Sequence, residues 1–269
     1  MTRPIGIMDS GVGGLTVAKE IIHALPSESI IYFADSLNCP YGPQSTDSVY
    51  THTKAAVDFL IKEGAKTVII ACNTATAAVM PSLRDEVDVP LYGVINPGAL
   101  GAVRKSTHNE VMLLATEGTV KSRAYDEAIA DFDSDIKLTS VACPEFVNLI
   151  ESGEYRNKLR TEQVISNKLE AYKDSGCDTI ILGCTHFPLI EKEISAFFND
   201  EKHMVDAGFE TVNIALSQLH RKNLLNTHKE TPKHTFFVHG KNDTFETILN
   251  TWIPNIDYSI EEIYLTKEH

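Results

Sequence analysis

The sequence lacks the features of a membrane or secreted protein. No run of apolar residues approaches the roughly 20 that a bilayer-spanning helix needs. The N-terminus, Met1-Thr2-Arg3-Pro4, leads directly into a strand-like segment, Ile5-Gly6-Ile7-Met8, without the charged, apolar and cleavage-site regions of a signal peptide. We therefore expect a cytoplasmic protein that does not bind membranes.

Cysteines and basic residues are also few. The five cysteines form an odd number without a C-x-x-C pair, which favours reduced thiols over a disulfide framework. Lysine and arginine number 24 against 37 acidic residues, and the formal net charge of -13 argues against a nucleic-acid partner. An anionic small ligand is not excluded, because helix N-termini and backbone amides can make a site locally positive.

What the chain does contain is an internal repeat, in a sequence of 269 residues with ordinary hydrophobic (43%) and charged (23%) content. Residues 64–74 read GAKTVIIACNT, and residues 176–186 read GCDTIILGCTH. A repeat in a chain of this length favours two domains. Aligned without a gap, the two segments match at Gly64/Gly176, Thr67/Thr179, Ile69/Ile181 and Cys72/Cys184.

Both copies of the repeat predict a buried strand that ends in a cysteine. Their aliphatic runs lack polar alternation, which is typical of parallel strands covered on both faces. Ligands of open α/β sheets bind beyond the carboxyl ends of such strands, where Cys72 and Cys184 are expected. A helix N-terminus at that position lowers the pKa of a thiol. A free cysteine is often just a small buried hydrophobe, but two in matching positions favour function.

Two other motifs were weighed as ligand sites. Cys177, Cys184 and His186 could be metal ligands, but C-x6-C-x-H matches no zinc spacing, and we predict no metal site. The glycine loop at residues 9–14, DSGVGG, lies between a predicted strand and helix but lacks the G-x-G-x-x-G dinucleotide pattern. Asp9, at the carboxyl end of that strand, is predicted to act on a bound group; the alternative is a helix N-cap.

Strands and helices alternate along the chain, which predicts an α/β fold of two pseudo-symmetric lobes. Each lobe is expected to be a mostly parallel sheet flanked by helices, with the active site in the cleft between them. The first lobe is predicted to comprise residues 1–96 plus 208–269, and the second residues 97–207, with Asn96-Pro97-Gly98 as a crossing. Predicted strands include 29–34, 91–95, 111–115, 136–142, 204–206 and 236–238; predicted helices include 15–25, 49–62, 121–129, 159–173, 189–198, 211–219 and 244–249.

Two thiols that face each other across such a cleft suit one kind of chemistry. A thiolate on one face of a carbon acid removes a proton, and a thiol on the other face delivers one, so that the centre is inverted. The α-proton of an amino acid is very weakly acidic. The site must therefore be dry, with donors that stabilise the charge developing on the carboxylate.

Five motifs in this order resemble the glutamate racemases of the aspartate/glutamate racemase superfamily. They spread from residue 5 to about residue 210. The motifs are Asp9-Ser10-Gly11-Val12-Gly13-Gly14-Leu15; Ala34-Asp35-Ser36 with Pro40-Tyr41-Gly42; Ala71-Cys72-Asn73-Thr74-Ala75; Cys143-Pro144 with Phe146 and Glu151; and Gly183-Cys184-Thr185-His186-Phe187-Pro188-Leu189.

The resemblance implies an isomerase that interconverts L- and D-glutamate without a cofactor and supplies D-glutamate for peptidoglycan, and hence for cell-wall biogenesis and cell shape. Its members often form homodimers. By position, Cys72 and Cys184 resemble the two acid/base thiols, Asp9 the carboxylate that assists Cys72, and His186 with Glu151 the polar pair near Cys184. The residues that resemble the substrate shell are Asp9, Ser10, Tyr41, Gly42, Asn73, Thr74, Thr116, Thr119, Thr185 and His186.

This sequence departs from the family's pattern away from the cysteines. Glu145 and Asn148 stand where an apolar residue and a proline are usual, Asn96 replaces a commonly acidic residue, and Val238-His239-Gly240 is unusual. The chain also lacks the N-terminal extension of relatives that respond to a cell-wall precursor, so we do not expect that activation. Cys39, Cys143 and Cys177 have no symmetric partner and are expected to be incidental.

Two rival functions remain open. One is a racemase or isomerase of the same fold that acts on aspartate or another carbon acid; the other is a catalytically silent glutamate-binding protein. Retention of both cysteines, Asp9 and His186 argues against silence. Pyridoxal phosphate is disfavoured, because no lysine ends a motif strand. Outside the motif, His186, Glu151, Tyr41 and Thr116 could be structural, and the remaining histidines, including His234 and His239, are expected at the surface.

Overall fold

The computed structural model describes residues 3–227 and 231–265. Met1 and Thr2 of the predicted N-terminal segment lie outside them. The first third of the chain alternates between strands and helices, as predicted. Its elements are β1 (Ile5–Asp9), α1 (Leu15–Ala24), β2 (Ile30–Ala34), α2 (Thr46–Lys62), β3 (Thr67–Ile70), α3 (Asn73–Leu83) and β4 (Leu91–Gly93).

The middle of the chain repeats this alternation, and the last quarter adds two further strands. The middle elements are α4 (Ile95–Lys105), β5 (Glu110–Ala115), α5 (Glu117–Ser122), α6 (Ala124–Phe132), β6 (Lys137–Ala142), α7 (Pro144–Glu151), α8 (Lys158–Leu169), β7 (Thr179–Gly183), α9 (Glu191–Phe197) and β8 (His203–Asp206). The last are α10 (Ala207–Arg221), β9 (His234–His239), α11 (Phe245–Trp252) and β10 (Tyr258–Ile263).

The strands form two parallel sheets. The larger has the order β10-β9-β2-β1-β3-β4, and the smaller has the order β6-β5-β7-β8. Because β9 pairs with β2, the last quarter of the chain completes the first sheet. The predicted α/β class, with parallel sheets flanked by helices, is confirmed. Contacts group the chain into two units: residues up to Val94 with those from Thr211 on, and Ile95–Glu210.

The repeat strands are interior strands of their sheets and are buried along their whole length. In the first unit β3 lies between β1 and β4, and in the second β7 lies between β5 and β8. Every residue of β1, β3 and β7 is buried. Burial of each aliphatic side chain contributes about 2 kcal/mol. The uninterrupted apolar runs therefore specify two strands that are paired on both sides.

The segment predicted as a crossing, residues 96–98, is helical: it forms the first turn of α4, and the second unit begins at Ile95. Pro97 is tolerated there, since the first turn of a helix leaves its backbone N–H groups without carbonyl partners. Gly98 is needed for close packing within the second unit. A Cβ at that position would lie 2.8 Å from Ala207 Cβ and 2.9 Å from Tyr125 Oη.

Other predictions of local structure were also wrong. The helix predicted at 121–129 is two helices, broken at Arg123, which has a φ of 58°. β10 was missed. His234 and His239 are not surface residues: both are buried, on β9. In the part of the chain that the structure describes, no helix is long and apolar enough to cross a membrane.

Candidate active site

In the first unit, the candidate residues follow neighbouring strands at the carboxyl edge of the sheet. Asp9 is the last residue of β1, and Cys72 follows β3, which pairs with β1 in parallel. Backbone hydrogen bonds continue this register, since Ala71 N donates to Met8 O over 2.8 Å. The edge of one sheet therefore carries both Asp9 and Cys72.

Cys72 is the N-cap of α3. Its Sγ accepts a hydrogen bond from Ala75 N at 3.5 Å, and its φ and ψ of -68° and 123° are those of an N-cap residue. The side chain is 7% exposed. Asn73 and Thr74, both buried, form the first turn of α3. The N-terminal end of the helix favours negative charge on this sulfur.

Asp9 organises the glycine loop and does not cap α1. Its Oδ2 accepts a hydrogen bond from Gly11 N at 3.0 Å, whereas the N-cap of α1 is Gly14, without a side-chain bond. A Cβ on Gly14 would lie 2.5 Å from Asp9 Cβ, so only glycine lets the loop pass this close. Asp9 is fully buried, and the neighbouring Ser10 is half-buried.

Tyr41 lies in the loop after β2, beside the half-buried Gly42, and is itself buried. Its Oη donates a hydrogen bond to Asp35 Oδ2 over 2.5 Å. Burial, followed by the negative charges of Asp35, Cys72 and Asp9, raises the pKa of Tyr41 far above its ordinary value. The phenol therefore stays neutral, close to Cys72 and Asp9.

In the second unit, Cys184 follows β7 but does not cap an α-helix. A 3₁₀ turn at Phe187–Ile190 separates it from α9, which begins at Glu191. The two copies of the repeat thus diverge after their cysteines, and the helix predicted at 189–198 starts later than expected. Cys184 and Thr185 are buried, with 7% and 8% of their surface exposed.

The side chain of His186, and not an α-helix N-terminus, is the group next to Cys184 Sγ. Its Nδ1 lies 3.6 Å from Cys184 Sγ, and its Nε2 lies 3.3 Å from Glu151 Oε1, off the line of a hydrogen bond. Burial lowers the pKa of His186, but the contacts with Cys184 and Glu151 outweigh it and raise the pKa to about 10. These contacts favour the protonated form of the imidazole beside Cys184. Glu151 ends α7 with 37% of its side chain exposed.

Two threonines follow β5, the strand that pairs with β7. Thr116 is the N-cap of α5, and its Oγ1 accepts a hydrogen bond from Thr119 N at 3.3 Å. The two hydroxyl oxygens lie 3.0 Å apart. Because β5 and β7 are parallel neighbours, Thr116 and Cys184 stand at the same edge of the second sheet.

Sequence reasoning missed Tyr125, which is fully buried on α6. Burial, and then the charges of Asp206 and Cys184, raise the pKa of Tyr125 well above its ordinary value. Tyr125 lies outside both repeat segments, so no sequence motif marked it as a candidate. The candidate residues also omitted Asp35, which accepts a hydrogen bond from Tyr41, and His239, which is hydrogen-bonded to Asp35.

Two of the other cysteines are held in different surroundings. Cys177 precedes β7, at the opposite end from Cys184, and its Sγ lies 3.1 Å from Ser175 Oγ. Cys143 is buried at the start of α7, and burial raises its pKa to about 12. Within residues 3–227 and 231–265, no three His, Cys, Asp or Glu side chains are placed to hold a metal ion.

The two departures from the family's pattern on α7 border a surface cavity of about 490 Å³ between α7 and α8. Glu145 and Asn148 both line it. Lys168 Nζ, from α8, lies 3.4 Å from Glu145 Oε1. The exposed ion pair explains why a charged residue is tolerated at position 145.

Known proteins similar to this chain are amino-acid racemases. The family model for Asp/Glu/Hydantoin racemase matches residues 5–215. A glutamate racemase from Lysinibacillus sphaericus is 43% identical over 265 residues, which is 98% of this chain and all of the relative. This confirms the resemblance seen in the sequence, and the prediction of an isomerase that racemises an amino acid.

Solved structures agree. A glutamate racemase isoform from Bacillus anthracis has a TM-score of 0.92 and 35% identity, covering 98% of this chain and 99% of its own. A glutamate racemase from Francisella tularensis, solved in complex with D-glutamate, has a TM-score of 0.89 and 31% identity, with 97% of each chain covered. The chain therefore belongs to the Asp/Glu/Hydantoin racemase family.

Proposed function

We propose that this protein interconverts L- and D-glutamate, with Cys72 and Cys184 as the two acid/base groups and without a cofactor. The observation that carries the proposal is that each cysteine follows a buried repeat strand and lies beside a positive group that can stabilise a thiolate. For Cys72 this group is the N-terminus of α3, and for Cys184 it is the protonated imidazole of His186. Two thiols poised separately fit a reaction that needs one on each face of the substrate.

In the reaction, one cysteine acts as a thiolate and removes the α-proton of glutamate. The other acts as a thiol and gives its proton to the opposite face of the same carbon, which inverts the configuration. One proton leaves the substrate and one is delivered to it, so the substrate gains or loses no net proton. The first cysteine ends as the thiol and the second as the thiolate, which is the state needed for the other enantiomer. Asp9 assists Cys72, and His186 with Glu151 assists Cys184.

The remaining candidates bind the substrate's carboxylates and ammonium group. Hydroxyl, amide and backbone N–H groups that stabilise negative charge on the α-carboxylate also stabilise the carbanion formed when the proton leaves. They stand at strand ends or in first helix turns, where backbone donors are available. The proposed residues are Asp9, Ser10, Tyr41, Gly42, Asn73, Thr74, Thr116, Thr119, Thr185 and His186.

Glutamate is favoured over aspartate by the relatives. Glutamate racemases match over the whole chain at about 40% identity, whereas an aspartate racemase from Picrophilus torridus is 16% identical and shares only the fold. The Francisella tularensis relative was solved with D-glutamate bound. Lys66 gives no support to a pyridoxal-type mechanism, because it precedes β3, at the opposite end from Cys72, and is ion-paired with Glu28 at 2.6 Å.

We also propose the biological setting. D-glutamate supplied by this reaction would enter peptidoglycan synthesis, so the enzyme would act in the cytoplasm on a small-molecule substrate, with a homodimer as its possible assembly. Neither nucleic acid nor a membrane is a proposed partner.

Circular dichroism tests the proposed substrate. Purified protein without added cofactor should bring the signal of L-glutamate and, separately, of D-glutamate to zero, and should leave L-aspartate unchanged. Decay with aspartate alone would replace glutamate by aspartate as the substrate. Calorimetric binding of glutamate without decay of either signal would identify a silent binding protein.

A further inference from the structure

A buried chain of hydrogen bonds connects Tyr41 to His239, near the end of the sequence. Tyr41 Oη donates to Asp35 Oδ2 over 2.5 Å, and His239 Nδ1 lies 2.8 Å from Asp35 Oδ1. Asn38 Nδ2 donates to both carboxylate oxygens, at 2.9 and 3.1 Å. Asp35 and Tyr41 are 1% exposed and His239 is 7% exposed. A carboxylate buried this deeply needs all of these donors.

The sheet topology brings His239 to the candidate site. β9 pairs with β2 in parallel, with Val238 opposite Ala34. The next residues, His239 and Asp35, therefore meet at the carboxyl edge that also carries Asp9 and Cys72. The edge position explains why a residue so distant in sequence can contribute to the site.

The loop that carries Tyr41 is docked on the segment that carries His239. Leu37 N donates to His239 O over 2.8 Å, and Asn242 Nδ2 donates to Ser36 Oγ over 3.1 Å. Gly240 has a φ of +83°, and a Cβ there would lie 2.8 Å from Leu37 Cβ. Backbone and side-chain bonds both fix the loop to this segment.

The direction of the hydrogen bonds determines what Tyr41 can offer a ligand. An ionised carboxylate only accepts hydrogen bonds, so the hydrogens lie on Tyr41 Oη and on His239 Nδ1. The single hydroxyl hydrogen of Tyr41 is thereby committed to Asp35. Its oxygen retains lone pairs, which can accept from an ammonium group but cannot donate to a carboxylate.

We propose that His239 is a positioning residue, which by donating to Asp35 holds Tyr41 Oη as an acceptor for the substrate's α-ammonium group. The inference rests on the proposed function, because it places glutamate against Tyr41. It assigns one substrate group to one side chain, and it explains the unusual Val238-His239-Gly240 segment as part of the substrate site.

A purely structural role for His239 makes a different prediction. Its ring lies 5.9 Å from that of Phe33 and 6.4 Å from that of Tyr264, and packing of this kind would be kept by an apolar residue of similar size. H239L keeps bulk and removes the donor. H239N places its amide N–H₂ where Nδ1 stood and keeps the donor.

The test measures KM and kcat for both enantiomers in H239L, H239N, Y41F and the H239L/Y41F double variant. We expect H239L to raise KM about tenfold, the loss of one hydrogen bond to a charged group, with kcat changed less. H239N should restore KM to within about threefold, because one donor replaces another. In the Y41F background, H239L should have no further effect on KM, since His239 acts through Tyr41.

H234L is the matched control. His234 is also a buried histidine of β9, at the other end of the strand, where its Nδ1 accepts from Ile30 N at 3.3 Å. Loss of this hydrogen bond in H234L should lower the stability of the protein without raising KM for glutamate. A KM for H239L equal to that of the wild type, H239N as impaired as H239L, or effects of H239L and Y41F that multiply would each overturn the inference.

Two further measurements cover the cases in which H239L does not fold or the wild type is inactive. If H239L does not fold, D35N replaces it, and the inference then requires a raised KM that Y41F does not increase further. If the wild type does not racemise glutamate, the proposed function fails, but the Kd for D-glutamate measured by calorimetry on the same variants still tests the inference, with the same ratios expected. A wild type that neither racemises nor binds glutamate would overturn both.

Discussion

At the scale of the residue, the sulfur atoms of the two cysteines contact different groups. Cys72 depends on the backbone N–H groups of α3, which carry no proton that titrates near neutral pH. Cys184 depends on His186, whose pKa of about 10 keeps it charged through the neutral range. Only the Cys184 side is therefore sensitive to a histidine substitution.

Replacement of His186 by glutamine should lower kcat in both directions by about 100-fold, in the range of a lost acid/base partner. The folded-state pKa of His186 lies above its ordinary value of 6.5, so its stabilisation is complete below pH 6.5 and is lost as the pH rises through about 10. In urea unfolding, the difference in free energy of unfolding between the wild type and H186Q should therefore be smaller near pH 10 than near pH 6.5. An advantage that grows with pH would contradict a raised pKa.

The residues of the repeat could be predicted from sequence, because a buried strand that ends in a polar motif leaves a local pattern. The Tyr41–Asp35–His239 chain could not. Its histidine and carboxylate lie 204 positions apart, and only strand pairing brings them together. Taken alone, a histidine after an apolar run such as residues 236–238 has no signal that separates it from a surface residue.

At the scale of the element, the cysteine strands are anchored at their starts by buried polar residues in equivalent positions of the repeat. Lys66 precedes β3, and Asp178 precedes β7. Asp178 accepts hydrogen bonds from Ser106 Oγ and from the backbone N–H groups of Thr107 and His108, at 2.6 to 2.9 Å. The turn between α4 and β5 is thus tied to the start of β7.

The Asp178 anchor should fail in acid. Burial raises the pKa of Asp178, but hydrogen bonds from Thr107, Ser106 and Thr179 outweigh it and hold the pKa well below its ordinary range. The stabilisation is therefore present above the unfolded pKa, about 3.9, and is lost as the pH falls below it. D178N should cost about 2 kcal/mol in urea unfolding at pH 7. The exposed Asp174→Asn is the control and should cost nothing measurable.

The stability of α3 should depend on its N-cap, Cys72. Both Cys72→Ser and Cys72→Ala remove the thiol and should abolish racemisation. Serine retains an oxygen that can accept from Ala75 N, whereas alanine leaves α3 uncapped, at a cost of about 1 kcal/mol. Thermal unfolding should therefore rank C72S above C72A, and equal stabilities would show that the 3.5 Å contact is not a cap.

Boundaries of elements were less predictable than their order. The break at Arg123, where φ is 58°, and the 3₁₀ turn after His186 interrupt helices that apolar spacing predicted to be continuous. Glycine has a low helix propensity, yet the tight contact with Ala207 makes Gly98 necessary inside α4. Tertiary context overrode local propensity at this position.

At the scale of the whole molecule, the chain returns to its first sheet after completing the second. The segment after α10 is held there by a buried ion pair. Lys66 Nζ lies 2.6 Å from Glu28 Oε2 and donates to Leu224 O over 2.7 Å, and Asn226 N donates to Glu28 Oε1 over 2.6 Å. The return of the chain adds strands at 234–239 and 258–263 to the first sheet. The sequence predicted only the first of these strands, because the second contains a serine and two glutamates and lacks an apolar run.

Removal of one partner of this ion pair should be costly. Lys66→Met leaves Glu28, whose side chain is 2% exposed, without its cation, and should lower the free energy of unfolding by about 3 to 5 kcal/mol. The double variant K66M/E28Q removes the uncompensated charge and should recover part of this loss. Urea unfolding of the three proteins checks the ranking, and a double variant no more stable than K66M would contradict it.

The central claim is that both thiols are needed for one inversion, and deuterium incorporation tests it most directly. Wild type, C72A and C184A are each incubated with L-glutamate in D₂O without added cofactor, and the D-glutamate formed is analysed by mass spectrometry. The account predicts one deuterium at the α-carbon of every D-glutamate molecule from the wild type, and rates at least about 1000-fold lower for each variant. D-glutamate without deuterium, or a single-cysteine variant that forms it at the wild-type rate, would contradict the two-thiol mechanism.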